Sequence, residues 1–360
     1  MKTKKIKNKV KNIKIANKAI GINKAPFLIA EAGINHNGSL DQALKMIEAA
    51  KKAKVDAVKF QTYKTEELIS DSKQTYTYIS AGKKINESMF KMFKRHELPV
   101  ESWSKIKEKC VKENIIFLST PSSVTDLNLL LKLDVPAIKI GSDDFNNIPL
   151  LQECCKTNLP LILSSGMSGS DEIQLALEKT KALEDYPIIF MLCVSQYPTP
   201  LEDVNLDRLG NLRTKYPNLI LGFSDHTIGS IASSMAVAYG ARCFEKHFTL
   251  NRNDAGPDHW FSEDLVGLKN WAEAIRTSYL VIGNSSLRPT KKEEQMREIV
   301  RKSIVAFKDI NKGEAITIKN ICFKRPGNGL PPVAINKIVG MKAKKFIAKN
   351  EQLKLKNLDH

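Results

Sequence analysis

The sequence lacks the features that mark membrane and secreted proteins. In its 360 residues, no apolar run reaches the roughly 20 residues that a membrane-spanning helix needs. The first 18 residues contain eight lysines and no acidic residue. They have no apolar core and no small-residue cleavage site, so they do not have the pattern of a secretory signal. We therefore expect a cytoplasmic protein that does not bind membranes.

Cysteine is sparse and forms no motif. No pair has the CxxC spacing of a zinc or redox site, and the spacings do not suggest a disulfide framework. The six cysteines are Cys110, Cys154, Cys155, Cys193, Cys243 and Cys322. This usage is typical of a protein in a reducing compartment.

Acidic residues are few relative to basic ones, with 39 Asp and Glu against 56 Lys and Arg and a net charge of +17. The chain nevertheless lacks the interleaved arginine and aromatic residues of nucleic-acid-binding domains. We interpret most of the charge as solvated surface and expect no nucleic-acid partner. A basic tail that binds polyanions is the alternative.

From Phe27 onward the sequence contains a repeated unit: an apolar, strand-like run, a polar cluster at its end, and a segment of helical periodicity. Eight such units predict an α/β fold, a (β/α)₈ TIM barrel over residues 27–284. Residues 1–26 are then a basic N-terminal tail and barrel cap. Because the carboxyl ends of all the strands open at one mouth of such a barrel, the polar clusters are expected to meet there.

Two lysines stand inside apolar strands, Lys59 in AVKFQ and Lys139 in AIKIG. A buried lysine without a partner is costly, so we expect an anionic ligand to neutralise both. Thr120, Ser142 and Ser164 follow neighbouring strands and have hydroxyl groups suited to the same anion. Each hydroxyl by itself also fits a turn or helix cap.

Two later strands each end in a histidine, His226 in GFSDH and His247 in FEKH. If these strands are parallel neighbours joined by a helix, both imidazoles reach the same end of the sheet. Two imidazoles do not complete a structural zinc site, so the pattern favours a catalytic metal with positions left for water and substrate. Asp258, in the following loop, is placed to lie over the pair. A histidine at one strand end is also commonly a structural residue.

Two further segments stand outside the barrel pattern. The long loop at residues 62–98 is rich in aromatic residues and Met, which suits either a substrate-selecting lid or a helix packed on the rim. After residue 284, a charged linker (285–300) precedes short β-type runs separated by Gly, Asn and Pro turns. These predict a small second domain at residues 301–360, with Arg325 on a turn.

Taken together, these motifs resemble the bacterial sialic acid (nonulosonate) synthase family along essentially the whole chain. The resembling segments are IAEAGINHNGS, VKFQTY, LSTPSS, AIKIGS, ILSSGM, YPTP, GFSDHTIG, FEKHFTL, GPDH, DINKGE and KRPGNG. The resemblance implies condensation of phosphoenolpyruvate (PEP) with an N-acylated hexosamine, assisted by Mn²⁺ or Mg²⁺. It also implies a C-terminal antifreeze-like (SAF, β-clip) domain and a homodimer in which that domain covers the partner's barrel mouth.

The resemblance also implies roles for individual residues. Glu31 handles a proton or orients water, Glu245 supports the metal region, and His226 and His247 bind the metal. The residues implied to bind PEP are Lys59, Thr120, Lys139, Ser142 and Ser164. The residues implied to face the sugar are Gln61, Tyr197, Asp258 and Arg325, the last of these from the partner subunit. Ser195 departs from relatives that have asparagine two residues before the tyrosine of YPTP.

Two questions stay open at this point. The acceptor is either N-acetylmannosamine or a diacetamido trideoxy hexose that leads to legionaminic acid. Another metal-dependent PEP-condensing or aldolase-type barrel would share the mouth, but it is expected to lack the antifreeze-like tail.

Overall fold

The computed structural model describes residues 12–360. The chain divides after Gly283 into two compact units, which are described separately. The segment 285–300, treated above as a linker, belongs to the second unit and is largely helical. Within residues 12–360, no helix has both the length and the apolar character needed to cross a bilayer.

The first unit alternates strands and helices. Its strands are β1 (Ile13–Ile15), β2 (Lys18–Ile20), β3 (Phe27–Gly33), β4 (Ala57–Thr62), β5 (Thr75–Ser80), β6 (Lys83–Ser88), β7 (Ile116–Pro121), β8 (Ile138–Ile140), β9 (Leu161–Ser164), β10 (Ile188–Cys193), β11 (Ile220–Asp225) and β12 (Cys243–His247). Its helices are α1 (Leu40–Lys52), α2 (Thr65–Leu68), α3 (Met89–His96), α4 (Ser102–Lys112), α5 (Val124–Lys132), α6 (Ile148–Lys156), α7 (Ser170–Lys179), α8 (Asp207–Lys215), α9 (Ile231–Ala238) and α10 (Leu265–Ile282).

In the described part of the chain, eight parallel strands form one sheet in the order β7-β4-β3-β12-β11-β10-β9-β8. The two end strands, β7 and β8, lie beside each other and close the sheet into a barrel. The predicted TIM barrel is therefore confirmed. The β11–α9–β12 unit makes the two histidine strands parallel neighbours, as the sequence predicts.

The amino-terminal half of the barrel interior is an apolar layer, here called the floor. It is made of the inward-facing residues Phe27, Ile29, Ala57, Leu118, Ala137, Ile162, Ile189, Met191, Ile220 and Cys243. The antiparallel hairpin β1–β2 packs onto this layer through Ile13, Ile15 and Ile20. Burial of these aliphatic side chains keeps water out of this end of the barrel.

Several of the helices, among them α5 and α10, begin at a polar side chain that caps them. Ser123 accepts a hydrogen bond from the backbone N–H of Asp126 at the start of α5, and Asp264 accepts one from Gly267 at the start of α10. Such caps satisfy N–H groups that have no partner inside a helix. The capped helices α5 and α10 therefore have a defined first turn.

The loop after β4 contains α2, the antiparallel hairpin β5–β6 and α3. Arg95 of α3 pairs with Glu87 of β6 at 2.6 Å, and Glu87 also accepts from the Tyr78 hydroxyl at 2.6 Å. The segment is therefore an ordered structure beside the mouth.

The second unit is small and rich in short strands. It contains α11 (Lys291–Val300), β13 (Ser303–Ala306), β14 (Ile321–Lys324), α12 (Ile335–Ile338), β15 (Lys342–Ala343) and β16 (Leu358–Asp359). Ile304, Ile310 and Ile347 are fully buried in its core. This arrangement confirms a small β-rich C-terminal domain.

Candidate active site

The carboxyl ends of the barrel strands surround a cavity of about 330 Å³, here called the mouth cavity. Most of the site residues predicted from the sequence line it: Glu31, Lys59, Gln61, Thr120, Lys139, Ser142, Ser164, Tyr197, His226, Glu245 and His247. Asp258 lies beside it, with its Oδ2 3.8 Å from Nδ1 of His247. Arg325 is in the second unit, where its side chain is exposed.

Lys59 is buried at the bottom of the mouth cavity and has protein partners. Its Nζ lies 2.8 Å from Glu31 and 3.8 Å from Glu245, and it donates a hydrogen bond to Thr120 Oγ1 at 3.0 Å. The premise that this lysine would be buried without a partner is therefore wrong, while its binding of an anionic ligand stays a prediction. Glu31 is the register partner of Lys59 on the adjacent strand β3, and Glu245 lies on β12, the next strand beyond it. The two carboxylates offset the cost of burying the lysine.

Lys139 is held in the same way from the other side. Its Nζ donates to Ser164 Oγ at 2.7 Å and to the carbonyl oxygen of Ile140 at 3.1 Å, and it lies 3.6 Å from Glu245. Ser142 accepts a hydrogen bond from the backbone N–H of Gly166 at 3.0 Å. Two ammonium groups and three hydroxyl groups thus meet in one water-poor site, an arrangement suited to a phosphate or carboxylate.

The two buried carboxyl groups differ in acidity. Burial raises the pKa of Glu31 to about 7, with Lys59 opposing the shift and Glu245 adding to it. For Glu245, burial acts in the same direction, but Lys139 and Lys59 outweigh it and hold its pKa below the ordinary value. Glu245 is therefore the fixed anion, and Glu31 is the carboxyl group that can exchange a proton near neutral pH.

The two strand-end histidines converge, with ring centroids 5.4 Å apart. Nδ1 of His226 lies 2.8 Å from the carbonyl oxygen of Val194. Because a carbonyl oxygen only accepts, Nδ1 carries a proton, and Nε2 is the nitrogen left to face a ligand. Burial lowers the pKa of His226, but Cys193 and the carbonyl of Val194 outweigh it and raise the pKa above the ordinary value. A second partner that fixes the ring in this way is typical of metal-binding histidines.

His247 provides a second candidate nitrogen. Its Nδ1 is buried and has no hydrogen-bond partner among the described residues. Burial, together with the positive potential of His226 and Lys59, keeps its pKa well below the ordinary value, so the ring is neutral. Neutral imidazole is the form that binds a metal. The two rings are therefore candidate ligands of a divalent ion in an open, two-ligand site, and no group of three His, Cys, Asp or Glu arranged to hold a metal occurs among residues 12–360.

Tyr197 forms one side of the histidine pair. Its ring centroid lies 4.2 Å from that of His226 and 5.9 Å from that of His247, and its side chain is still 43% exposed. It is therefore positioned between the histidines and solvent. Ser195, two residues earlier, has a buried Oγ with no hydrogen-bond partner in the described part of the chain.

Sequence reasoning did not single out several residues that line the mouth cavity. These are Tyr63, Leu68, Ile69, Met89, Phe93, Ser122, Gly141, Asp143, Cys193 and Ser224. The aromatic and Met content of the 62–98 loop was the signal that could have identified the apolar residues among them. It did not distinguish a substrate-selecting lid from a helix packed on the rim. The structure shows that α2 and α3 supply an apolar wall to the cavity.

Comparisons with known proteins agree with this geometry. Residues 46–286 match the NeuB family, and residues 301–359 match the SAF domain. The chain is 36% identical to N,N'-diacetyllegionaminic acid synthase of Legionella pneumophila, over 87% of this chain and 89% of the relative. It is 34% identical to pseudaminic acid synthase of Helicobacter pylori, over 93% and 98%.

A solved structure is similar as well. The crystal structure of an N-acetylneuraminic acid (sialic acid) synthetase from Leptospira borgpetersenii, in complex with citrate, has a TM-score of 0.72 and 34% sequence identity. The match covers 80% of this chain and 95% of that one. The protein therefore belongs to the NeuB family of sialic acid (nonulosonate) synthases and combines their TIM barrel with a C-terminal SAF domain.

Proposed function

We propose that the protein is a cytoplasmic transferase that condenses PEP with the aldehyde form of an N-acylated amino sugar, giving a nonulosonic acid and phosphate. The observation that carries this proposal is the pair of buried lysines, Lys59 and Lys139, in a cavity that is also lined by the two histidines His226 and His247. The relatives named as nonulosonic acid synthases support it.

Binding of PEP is assigned to the deep end of the cavity. There the phosphate and carboxylate of PEP are expected to take the hydrogen bonds that Lys59 and Lys139 now give to Thr120 and Ser164. The hydroxyl groups are then free to act as donors themselves. Exclusion of bulk water strengthens each of these charge-assisted contacts.

In the proposed reaction, C3 of PEP attacks the aldehyde carbon and forms the new C–C bond. C2 of PEP becomes cationic and takes up water, and phosphate leaves through cleavage of the C–O bond. Glu31 is suited to accept the proton of that water because its pKa is about 7. In oxygen-labelled water the label is expected in the keto acid, whereas labelled phosphate would contradict C–O cleavage.

His226 and His247 are proposed to hold Mn²⁺ or Mg²⁺. When bound, such an ion would polarise the aldehyde oxygen as a Lewis acid. Chelation is expected to abolish turnover and added Mn²⁺ or Mg²⁺ to restore it, with little change in thermal unfolding, because an open site contributes little to folding. Full activity of chelated protein or of a His226→Ala variant would refute the metal site.

The wall of the outer cavity bears on the choice of sugar. Leu68, Ile69, Met89 and Phe93 line the cavity and are only partly buried, and Gln61 is a polar residue of the same lining. Apolar surface of this kind suits methyl groups better than hydroxyl groups. We therefore favour the diacetamido trideoxy hexose, with its C6 methyl group and second acetamido group, over N-acetylmannosamine.

One phosphate-release assay across a panel of N-acyl hexosamines tests both parts of this proposal. PEP with the trideoxy sugar is expected to give the highest kcat/KM. Turnover of N-acetylmannosamine alone would overturn the sugar assignment but keep the reaction. No phosphate release with any amino sugar, from metal-loaded and folded protein, would overturn the reaction itself.

We also propose a homodimer in which Arg325 completes the site of the partner subunit, as the family resemblance implies. Arg325 is exposed and has no hydrogen-bond or ion-pair partner among residues 12–360, which leaves its charge available. Mixing inactive His247→Ala and Arg325→Ala proteins under subunit exchange is expected to restore roughly a quarter of wild-type activity, because each mixed dimer then has one intact site. Verified exchange without recovery would exclude a shared site.

A further inference from the structure

Behind the two histidines, on the outer side of the barrel wall, lies a buried ion pair to which the proposed reaction assigns no role. Side chains alternate along a strand, so Asp225 and Lys246 point away from the mouth cavity, opposite to their neighbours His226 and His247. Asp225 Oδ2 lies 3.1 Å from Lys246 Nζ, and these side chains are 0% and 2% exposed. The two residues are register partners on β11 and β12.

The pair belongs to a network in which each charged group has several partners. Asp225 Oδ1 accepts from the backbone N–H of Thr227 at 2.9 Å and from its hydroxyl at 2.7 Å, and Oδ2 accepts from Ser233 Oγ at 2.5 Å. Lys246 Nζ donates to the carbonyl oxygen of Thr227 at 2.5 Å. Trp271 of α10 donates to Ser233 Oγ at 2.9 Å, which ties the network to the helix layer.

This network surrounds the turn at the end of β11 that contains His226. His226 lies between Asp225 and Thr227, and both neighbours are held by it. Lys246 directly precedes His247 and bonds to the backbone of the same turn. One ion pair therefore links the two strand ends that carry the candidate metal ligands.

The stability of the fold does not by itself explain why an ion pair occurs at this position. Two residues earlier on the same strands, the outward register partners are Phe223 and Phe244, both buried in the apolar layer between barrel and helices. Apolar side chains therefore suffice at that level, and replacing a buried ion pair by packed apolar residues is often neutral or stabilising. The ion pair occurs instead at the level of the two histidines, where the positions of the imidazole rings determine the geometry of the candidate metal site.

We infer that Asp225 and Lys246 are positioning residues, which fix the separation and orientation of the His226 and His247 rings from behind the barrel wall. The inference rests on the metal site of the proposed function. It predicts that loss of the pair loosens the imidazoles while PEP binding, which depends on Lys59 and Lys139, is kept.

The test uses the full-length protein with Asp225→Asn and, in case that variant folds poorly, the paired replacement Asp225→Leu/Lys246→Met. The matched control is Asp56→Asn at the floor end of the barrel, where Asp56 pairs with Lys18 at 2.8 Å and accepts from the N–H of Leu28 at 3.0 Å. Mn²⁺ affinity is measured by electron paramagnetic resonance, PEP affinity by calorimetry, and the imidazole tautomers of metal-free protein by ¹⁵N NMR.

Both network variants are expected to bind Mn²⁺ about 10- to 100-fold more weakly, the usual effect of losing a group that orients a metal ligand. PEP affinity and the control variant should stay at the wild-type level. In the metal-free protein, the Nδ1–H signal of His226 should broaden or shift in the network variants only. Unchanged Mn²⁺ affinity and unchanged imidazole signals in folded variants would overturn the inference. If wild-type protein binds no Mn²⁺, the metal site fails, and the NMR comparison alone decides whether the pair positions the rings.

Discussion

The floor and the mouth of the barrel are built from the same strands but obey different physical rules. On β9, Ile162 is fully buried in the apolar floor, while Ser164, two residues later, accepts a hydrogen bond from Lys139 in the mouth. On β3, Ile29 and Glu31 show the same change. A shift of two residues along a strand thus separates side chains that stabilise the fold from side chains placed for chemistry.

Substitution of a lysine in the mouth is expected to have the largest effect on activity. Lys59→Met removes an ammonium group assigned to PEP, so activity per folded molecule should fall by about 10²- to 10³-fold, as for other groups that stabilise developing charge. Phosphate release measures this effect, and Lys105→Met, on an exposed helix position, is the control. Wild-type kcat/KM in Lys59→Met would remove this lysine from the mechanism.

A floor substitution should show the reverse pattern. Ile162→Ala opens a cavity among fully buried side chains and should lower the free energy of unfolding by about 2–5 kcal/mol. Activity of the folded fraction should stay near wild type, because the floor residues do not line the mouth cavity. Urea unfolding and a parallel activity assay measure both, with Leu280→Ala, at a 76% exposed position, as control. A large activity loss in folded Ile162→Ala protein would mean that floor and mouth are coupled.

Gly222 marks the transition between the two regions on β11. A Cβ there would lie 2.6 Å from the carbonyl oxygen of Cys243 and 2.9 Å from Met191 Cγ. Because the closer atom belongs to the backbone, Gly222→Ala should cost about 1–3 kcal/mol of stability. Gly210→Ala in helix α8, where the nearest atom is 3.4 Å away, should be neutral or stabilising. Equal unfolding midpoints for the two variants would contradict the steric argument.

The smallest effect concerns the ionisation of Glu31. Its carboxylate is the form that accepts a proton, and its pKa is raised to about 7. Hence kcat/KM should rise about tenfold between pH 6 and pH 8, as the ionised fraction rises. The remaining activity of Glu31→Gln should lack this limb of the profile. An unchanged limb in that variant would assign the ionisation to another group.

The sequence by itself determined the architecture and the list of polar strand ends. The hydrophobic periods of strands and helices are local properties of the sequence. Parallel strands joined by helices all have their carboxyl ends at the same end of the barrel. For this reason the sequence alone assigns Lys59, Lys139, His226 and His247 to one mouth.

Only the tertiary structure decided which of those side chains neutralise one another. Glu31 pairs with Lys59, which is 28 residues away in the sequence, and Glu245 pairs with Lys139, which is more than a hundred residues away. No local sequence pattern predicts such pairs. The apolar wall from α2 and α3 and the Asp225–Lys246 pair behind the histidines likewise depend on how a loop and two helices pack on the barrel. Local periodicity specifies the face on which a side chain lies, but its partner and its acidity depend on packing and burial, which involve residues distant in the sequence.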